Sequence, residues 1–382
     1  MKIAINCAFY QPRGGGIKEY IHNLIANLSI EDKANEYVIY FLEENIDYAR
    51  KHLPTSFKIK PIPFSGASKF EVIRRSLLEG KFWRKEEKEE KFDLFHSPFF
   101  HAPRLKETPV ILTVHDLRFF RFPSTYTFLR YIFLKHKVKN SVKRAAHIIS
   151  ISSFTKKEVI DAYGIDDSKI TVIHEAINPE RFKPKAEVKG LEIEKTIGHS
   201  DFLLAVGHLE PRKNYERLIK AFKRFIKNDS FSDFKLVIVG RKDHSYSKTI
   251  DLINKSPEII YLDFVDHDTL LWLYGHARLH ILPSIYEGFG FTPLEAASQG
   301  TVSAVSNISS IPEICGDAVF YFNPYDITNM ESTINEALSN SNEFNEKQAN
   351  LPKRLENFSW RKNALETILC YEQTKNKLKT RS

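Results

Sequence analysis

The chain alternates between short runs that are apolar throughout and longer stretches that are apolar on one side only. In the first half the short runs are "KIAINC", "EYVIYFL", "FKIKPI", "FDLFHS", "PVILTVH", "AHIISIS" and "ITVIHEA". In the second half they are "DFLLAVG", "FKLVIVG", "EIIYLDF", "RLHILPS", "TVSAV" and "AVFYF". Most lack a polar face, as strands covered by helices on both sides must. Helical periods separate them, for example "IKEYIHNLIANL", "SSFTKKEVIDAYG" and "NYERLIKAFKRFI". Strand–helix alternation predicts a parallel, doubly wound α/β sheet. Two such sets in succession predict two Rossmann-like domains, residues 1–180 and 201–357. Residues 181–200 are charged, lack a sustained apolar period and read as a linker. Residues 358–382 read as a closing helix that decays into basic disorder. The charge run "KFWRKEEKEEKF", residues 81–92, reads as a solvated helix face, because interspersed signs pair along helices.

Composition adds three constraints. Apolar residues make up 42% of the 382 residues, enough for two ordinary cores. The three cysteines, Cys7, Cys315 and Cys370, are odd in number and far apart, which argues for a reducing compartment and against a disulfide framework. The N-terminus reads as a first strand rather than a signal peptide, and no run approaches the ~20 apolar residues of a membrane span. A cytoplasmic protein is expected, with peripheral attachment to the membrane left open. The net charge of +8 favours anionic partners without choosing among them. Residues 118–144 hold eight Lys or Arg, seven aromatics and no acidic residue. They form either a buried helix with a basic outer edge or a surface that meets anionic lipid and a lipid-linked acceptor.

Chemistry concentrates in turns after the apolar runs. Open parallel sheets bind ligands at the carboxyl ends of their strands, and two in tandem make a cleft. "SIYEGFGFTPLEAASQG", residues 284–300, places Glu287, a glycine turn and Glu295 after one run. Thr292-Pro293-Leu294-Glu295 has the form of a capping box, predicting a helix from Pro293. Gly288 and Gly290 let the backbone approach a ligand, and a glycine turn at a helix N-terminus suits phosphate. Glu287, beside such a site, is better suited to neutral hydroxyls. "AVGHLEPRKNYERLIKAF" repeats the logic, with Arg212 and Lys213 placed to reach a diphosphate. "GGG", residues 14–16, and "TVHDLRF", with His115, lie at the ends of two runs in the first half. Structural readings remain open for each: Glu295 as a cap, Glu287 as an exposed turn residue, His115 as a structural histidine.

Taken together, these segments resemble the GT-B retaining glycosyltransferases of family 4. "EGFGFTPLE" is similar to that family's glutamate–seven–glutamate motif and "VGHLEPRKN" to its basic loop. "RGGGIKEYIHNL", "TVHDL", "IISISSFTKKEVI", "KITVIHEAINPERF" and "FSWRKNA" follow in the family's order, so the likeness covers nearly the whole chain. It implies two Rossmann-like domains facing a cleft, with the last helix crossing back to the first. It implies that Glu295 holds the ribose of a nucleoside diphosphate sugar. Glu287 would hold the sugar, with the backbone of Gly288, Phe289, Gly290 and Phe291 near sugar or diphosphate. Lys213, with Arg212, would neutralise the leaving diphosphate. His115 would contact the sugar near the reaction centre, Gly15 and Gly16 the diphosphate, and the backbone near Val265 the base. Many members carry arginine where this chain has His208, which removes a permanent charge from the donor grip. "DHD", residues 266–268, mimics the metal motif of another glycosyltransferase fold but reads as a helix cap.

The implied function is transfer of a hexose, with retention, to a saccharide or lipid-linked acceptor in cell-surface glycan synthesis. It implies no cofactor and no obligatory metal. The reading around "LEPRKN" is common among bacterial mannosyltransferases, which points to GDP-mannose. Rivals are a sugar-nucleotide epimerase or a phosphorylase of the same architecture, though a phosphorylase calls for a longer chain. Outside catalysis the rival is a basic nucleic-acid-binding protein. It predicts aromatic–basic platforms on exposed strands rather than motifs on turns, so no nucleic-acid partner is expected.

Overall fold

The computed structural model describes residues 1–11, 15–54, 56–64, 69–178, 181–182, 192–198, 200–242 and 247–380. The chain divides into two compact units, Met1–Ala176 with Trp360–Ser382, and Ile177–Ser359. Each is a parallel sheet between helices, as the alternation requires.

In the first unit the strands are β1 (Lys2–Asn6), β2 (Glu36–Leu42), β3 (Lys58–Ile62), β4 (Leu94–Ser97), β5 (Val110–Val114), β6 (His147–Ser150) and β7 (Ile170–Val172). They are ordered β3-β2-β1-β4-β5-β6-β7. In the second unit they are β8 (Phe202–Val206), β9 (Lys235–Val239), β10 (Ile259–Leu262), β11 (Leu279–Leu282), β12 (Ser303–Ser306) and β13 (Val319–Phe322), ordered β10-β9-β8-β11-β12-β13. Every apolar run singled out in the sequence is one of these strands. Strand order reverses at β1/β4 and at β8/β11, the points where open α/β sheets hold ligands.

The cores follow from the patterning. In the second unit Leu203, Leu236, Ile238, Leu279 and Ile281 from the sheet meet Leu218, Phe222 and Ile334 from helices. In the first unit Val38, Tyr40, Phe95, Leu112 and Ile148 pack with Trp83. Trp83 lies in the charge run, and the solvated-face expectation holds for one side only: Lys81, Arg84, Lys85, Lys88 and Glu89 are exposed, with Lys85 pairing to Glu89, while the other side is buried. The helix Lys69–Glu90 buries Trp83, Glu86 and Glu87. The Tyr40 hydroxyl and Lys60 both donate to Glu86. Glu87 accepts three backbone N–H groups, from Lys106, Glu107 and Thr108. Glu90 pairs with Lys2, Lys58 and Lys60, and these cations hold its carboxyl down at about 2. Mixed charge looked like solvent exposure, but these carboxylates serve as acceptors for neighbouring strands and loops.

Two further expectations change. Within residues 181–200, Glu192–Ile197 is helical, and Ile193 and Ile197 pack on Phe202; residues 183–191 and 199 lie outside the described residues. The closing helix, expected to decay into a basic tail, runs on through the basic residues, Trp360–Lys379. It packs on the helix Gly16–Glu31, and Lys375 pairs with Asp93 at 2.8 Å. It also buries Tyr371, whose hydroxyl lies 2.7 Å from His96 Nδ1. His96 Nε2 bonds Thr113 Oγ1 at 2.8 Å, and Thr113 Oγ1 bonds Tyr20 OH at 3.1 Å. Burial, then the nearby His115, pushes the His96 pKa down to about 3, so the ring is neutral and needs one donor and one acceptor.

Tyr371→Phe should therefore leave one buried ring nitrogen without its partner. Urea unfolding should show a loss of about 1–3 kcal/mol. An unchanged midpoint and slope would mean that this bond does not anchor the closing helix.

Candidate functional site

The second unit gathers most of the sequence-predicted site residues at the β8/β11 switch point. After β8 the chain turns at Gly207, passes the exposed His208, and makes a short turn Pro211–Lys213. Asn214 takes a left-handed conformation, φ 59°, and starts the helix Tyr215–Phe225. Asparagine tolerates that conformation, and its amide donates to the carbonyls of Pro283 and Pro324 at 3.0 and 2.8 Å. Two glycines make room. A Cβ on Gly207 would stand 2.9 Å from Lys213 Cε, and one on Gly240 would overlap the Gly207 carbonyl.

After β11 comes the glutamate loop. Glu287 is buried. Its carboxylate accepts from Arg212 at 2.6 Å, Lys213 at 2.7 Å and Ser284 at 2.7 Å. Arg212 also pairs with Glu210 at 2.6 Å. Burial alone would raise the Glu287 pKa, but Arg212 and then Lys213 hold it at about 2. At Lys213 burial dominates and lowers the ammonium's pKa against the pull of Glu287. The two loops are stitched by backbone as well, with Ile285 N–H donating to Arg212 O at 2.8 Å and Arg212 to Tyr286 O at 3.1 Å. Glu287 was expected as an exposed turn residue or a sugar-binding group. It is first the counter-ion of the basic loop. A carboxylate has about four acceptor positions; three are taken here.

The capping box is corrected. The helix runs Phe291–Ser298 and starts at Gly290, φ 103°, with no side-chain cap. Thr292 lies inside the first turn, and its Oγ1 is buried without a partner. Glu295 accepts instead from the Tyr274 hydroxyl at 2.7 Å. The glycine's left-handed turn does what the threonine was expected to do, and it leaves the N-terminus without a side-chain acceptor, a favourable place for an anion. Ser310 holds the loop by its bonds to the Glu287 and Phe289 carbonyls, at 2.9 and 2.8 Å. The Phe289 and Phe291 ring centroids are 5.1 Å apart. Val265 packs against the core cluster around Phe202, Leu204 and Leu273, and Asp266 beside it caps the helix His267–His276 through Thr269 N–H at 2.9 Å. That is the cap reading of "DHD". Among the described residues no group of three or more His, Cys, Asp and Glu could hold a metal ion.

The first unit carries the remaining residues. Gly15 and Gly16 begin the helix Gly16–Glu31 after β1, and Gly14 lies outside the described residues. His115 follows β5 and is buried. Its Nδ1 meets Glu175 at 2.9 Å and its Nε2 the Pro98 carbonyl at 3.1 Å. Burial opposes charge on this ring, but Glu175 and the Pro98 carbonyl outweigh it, so its pKa is raised. The Pro98 carbonyl can only accept, so Nε2 donates, and Glu175 at Nδ1 favours the protonated ring. Tyr20, on the helix that Gly16 opens, sets its ring edge-on to His115 at 4.8 Å. Glu175, Glu210, Ser284 and Tyr274 were missed by the sequence reading. The first three lie within quoted segments, where an acidic or hydroxyl residue ending an apolar run was the available signal. Tyr274 gave none.

Two family descriptions match this chain: Glycosyltransferase Family 4 over residues 14–181 and Glycosyl transferases group 1 over residues 192–357. The chain is a group 1 GT-B glycosyltransferase. Among relatives of this glycosyltransferase, the O-antigen chain mannosyltransferase RfbU of Salmonella typhimurium is 32% identical over 226 residues, 58% of this chain and 59% of that protein. The O-antigen chain mannosyltransferase B of Escherichia coli is 26% identical over 284 residues, 73% of this chain and 74% of that protein. In fold it is similar to Anabaena HepE, solved with UDP and glucose, with a TM-score of 0.73 at 14% identity, covering 98% of this chain and 100% of that one. The epimerase and nucleic-acid alternatives find no support in these likenesses.

Glu287→Gln tests the counter-ion role. A depressed carboxyl stabilises the fold above its ordinary value of 4.5, and that contribution fades as pH falls toward about 2. At neutral pH the variant leaves Lys213 without its paired carboxylate and Arg212 with Glu210 alone, at a cost of about 3–5 kcal/mol. Denaturation curves of wild type and variant should converge as pH falls through that window. A constant gap from neutral to acid would refute the ionised pair.

Proposed function

We propose that this glycosyltransferase moves a hexose from a nucleoside diphosphate sugar to a saccharide or lipid-linked acceptor in cell-surface glycan synthesis, with retention and without an obligatory metal. Mannose from GDP-mannose is the preferred donor, a choice supported by the O-antigen mannosyltransferase relatives. The observation that carries the reading is the convergence of Arg212 and Lys213 on Glu287, beside the uncapped helix that starts at Gly290.

In the proposed reaction the anomeric carbon–oxygen bond to the diphosphate breaks, and the acceptor hydroxyl oxygen bonds that carbon on the same face. The hydroxyl proton passes to the departing diphosphate. Lys213, Arg212 and the helix N-terminus stabilise the negative charge that develops there. Glu295 grips the ribose, and the remaining acceptor position of Glu287 takes a sugar hydroxyl. His115, as a cation held by Glu175, contacts the sugar. The acceptor's lipid would be reached from a membrane surface. Arg118–Arg121 and Phe128–Arg144 are helical, with Phe128, Leu129, Ile132 and Phe133 exposed, which supports peripheral attachment. No helix among the described residues is long and apolar enough to cross a membrane.

Thermal unfolding with a panel of nucleotide sugars tests the donor. A ligand at 100 times its dissociation constant adds ~2.7 kcal/mol, and GDP-mannose should give the largest shift. Lys213→Ala should lower turnover by roughly 10²–10³. Glu295→Gln should weaken nucleoside diphosphate binding by about 1.5–3 kcal/mol. A chelator should leave the rate unchanged, and the product anomer by NMR should match the donor's. Wild-type rates and affinities in both variants would remove the support for this site.

A further inference from the structure

The helix Phe128–Arg144 has two characters along its length. Near its start, Phe128, Leu129, Ile132 and Phe133 are 76%, 81%, 46% and 49% exposed. Single exposed apolar residues are ordinary, but four on adjoining turns form a patch that a soluble surface does not need. Its second half lines a pocket of about 220 Å³ with Lys137, Asn140, Ser141 and Arg144. Their spacing of three and four puts them on one side of the helix. The opposite wall is the segment after β4, including His101 and Arg104. Glu79 also reaches the pocket, where it bonds Trp83 at 3.4 Å. Burial, then the charge of Arg104, lowers the Arg144 pKa, so two guanidinium groups face one pocket and repel each other. Arg104, Lys137 and Arg144 outnumber the single carboxylate of Glu79 in the lining, so the pocket keeps a positive excess that suits a multiply charged anion, which arginine forks bind in paired hydrogen bonds.

The pocket is joined to the chemistry of this unit. His115 Nε2 donates to Pro98 O at 3.1 Å, and the same segment continues to His101, whose carbonyl accepts from Ser97 Oγ at 2.8 Å. Ala102 N–H and Ser141 Oγ lie 3.3 Å apart, fixing the segment to the helix. From Phe133 to Lys137 is one helical turn, about 6 Å along the axis. Apolar anchors buried to the acyl boundary would leave the pocket at headgroup level. Lys135 lies over the Phe120 and Tyr131 rings at 5.7 and 5.8 Å, and Lys137 over Phe133 at 5.1 Å, as cations bordering an apolar phase do.

We propose that this pocket binds the diphosphate headgroup of a lipid, while Phe128, Leu129, Ile132 and Phe133 enter the bilayer. This rests on the reading that the acceptor is lipid-linked, and it names the acceptor's charged end and the side chains that take it. Arg104 and Arg144 hold the phosphoryl oxygens, with Lys137 and Asn140 completing the wall.

The test is flotation of the full chain with three phosphatidylcholine vesicles: neutral, carrying phosphatidylglycerol, and carrying geranylgeranyl diphosphate at the same total charge. Wild type should bind the diphosphate vesicles at least about tenfold more tightly than the phosphatidylglycerol vesicles, the size expected from one charge-assisted hydrogen bond. The double variant Arg104→Gln/Arg144→Gln should lose that preference and keep its binding to phosphatidylglycerol. Phe128→Ser/Leu129→Ser should lose flotation with every vesicle while its unfolding midpoint stays at the wild-type value. Equal binding to the two anionic vesicles, or a preference retained in the arginine variant, overturns the proposal. So does calorimetric binding of inorganic pyrophosphate without any vesicle preference, which would make the pocket a free-anion site. Nucleoside diphosphate titration of the same preparations reads the donor site separately, so intact nucleotide binding beside a lost lipid preference overturns the pocket alone.

Discussion

A carboxylate that cannot be solvated organises the strand ends of the second unit. Glu287 lies buried, where charge is disfavoured, and stays ionised because Arg212 and Lys213 reach it at 2.6 and 2.7 Å. The cations come from the turn after β8 and the carboxylate from the turn after β11. Each ion pair therefore ties the two sides of the topological switch point. The fit also explains the glycines. Lys213 passes where a Gly207 side chain would stand, and Gly207 in turn needs the space beside Gly240. Removing any one of these features exposes a charge or moves a backbone.

The bookkeeping of charge has a consequence for anion binding. Arg212 and Lys213 face Glu287 and Glu210, so the cluster is neutral as it stands. A diphosphate that recruited Lys213 would take a partner from Glu287, and the carboxylate would need another donor in return. A sugar hydroxyl is such a donor. Binding of the charged and the neutral parts of one ligand would then be coupled through Glu287, which a preformed positive pocket would not achieve. The helix at Gly290 has no side-chain cap and no acidic residue in its first turn, so its partial positive charge faces a ligand uncapped.

The strands were legible because burial on both faces leaves continuous apolar runs, and all of them fold as read. Elements that depend on partners distant in sequence were not. Residues 81–92 were legible on their solvated face and not on the buried one, because charge alone does not reveal that Glu86 and Glu87 meet Tyr40 and the backbone near Thr108. The last helix read as frayed because its anchors, His96 and Asp93, lie some 280 residues earlier. Thr292 matched a capping pattern, but Gly290 reached the left-handed conformation first and began the helix upstream. At the site the residue types were legible, and their grouping was not. Arg212, Lys213 and Glu287 were read as three groups facing a ligand, whereas the structure pairs them with one another. Local pattern reports which chemistry is present, and only tertiary contact reports what each charge is neutralised by.

His115 shows the same logic in the first unit with the signs exchanged. There the buried group is the potential cation, and Glu175 with the Pro98 carbonyl makes its charged form affordable. Nε2 must donate to the Pro98 carbonyl, and Glu175 at Nδ1 raises the ring's pKa, which favours its protonated form. Its useful properties are a fixed orientation and a raised affinity for a proton, with the Tyr20 ring set edge-on at 4.8 Å. Tyr20 is bonded through Thr113 and His96 to Tyr371 of the closing helix. A lone histidine after a strand is more often structural than chemical when judged from sequence. Here the distinction dissolves, because the contacts that make His115 structural are the ones that fix its charge.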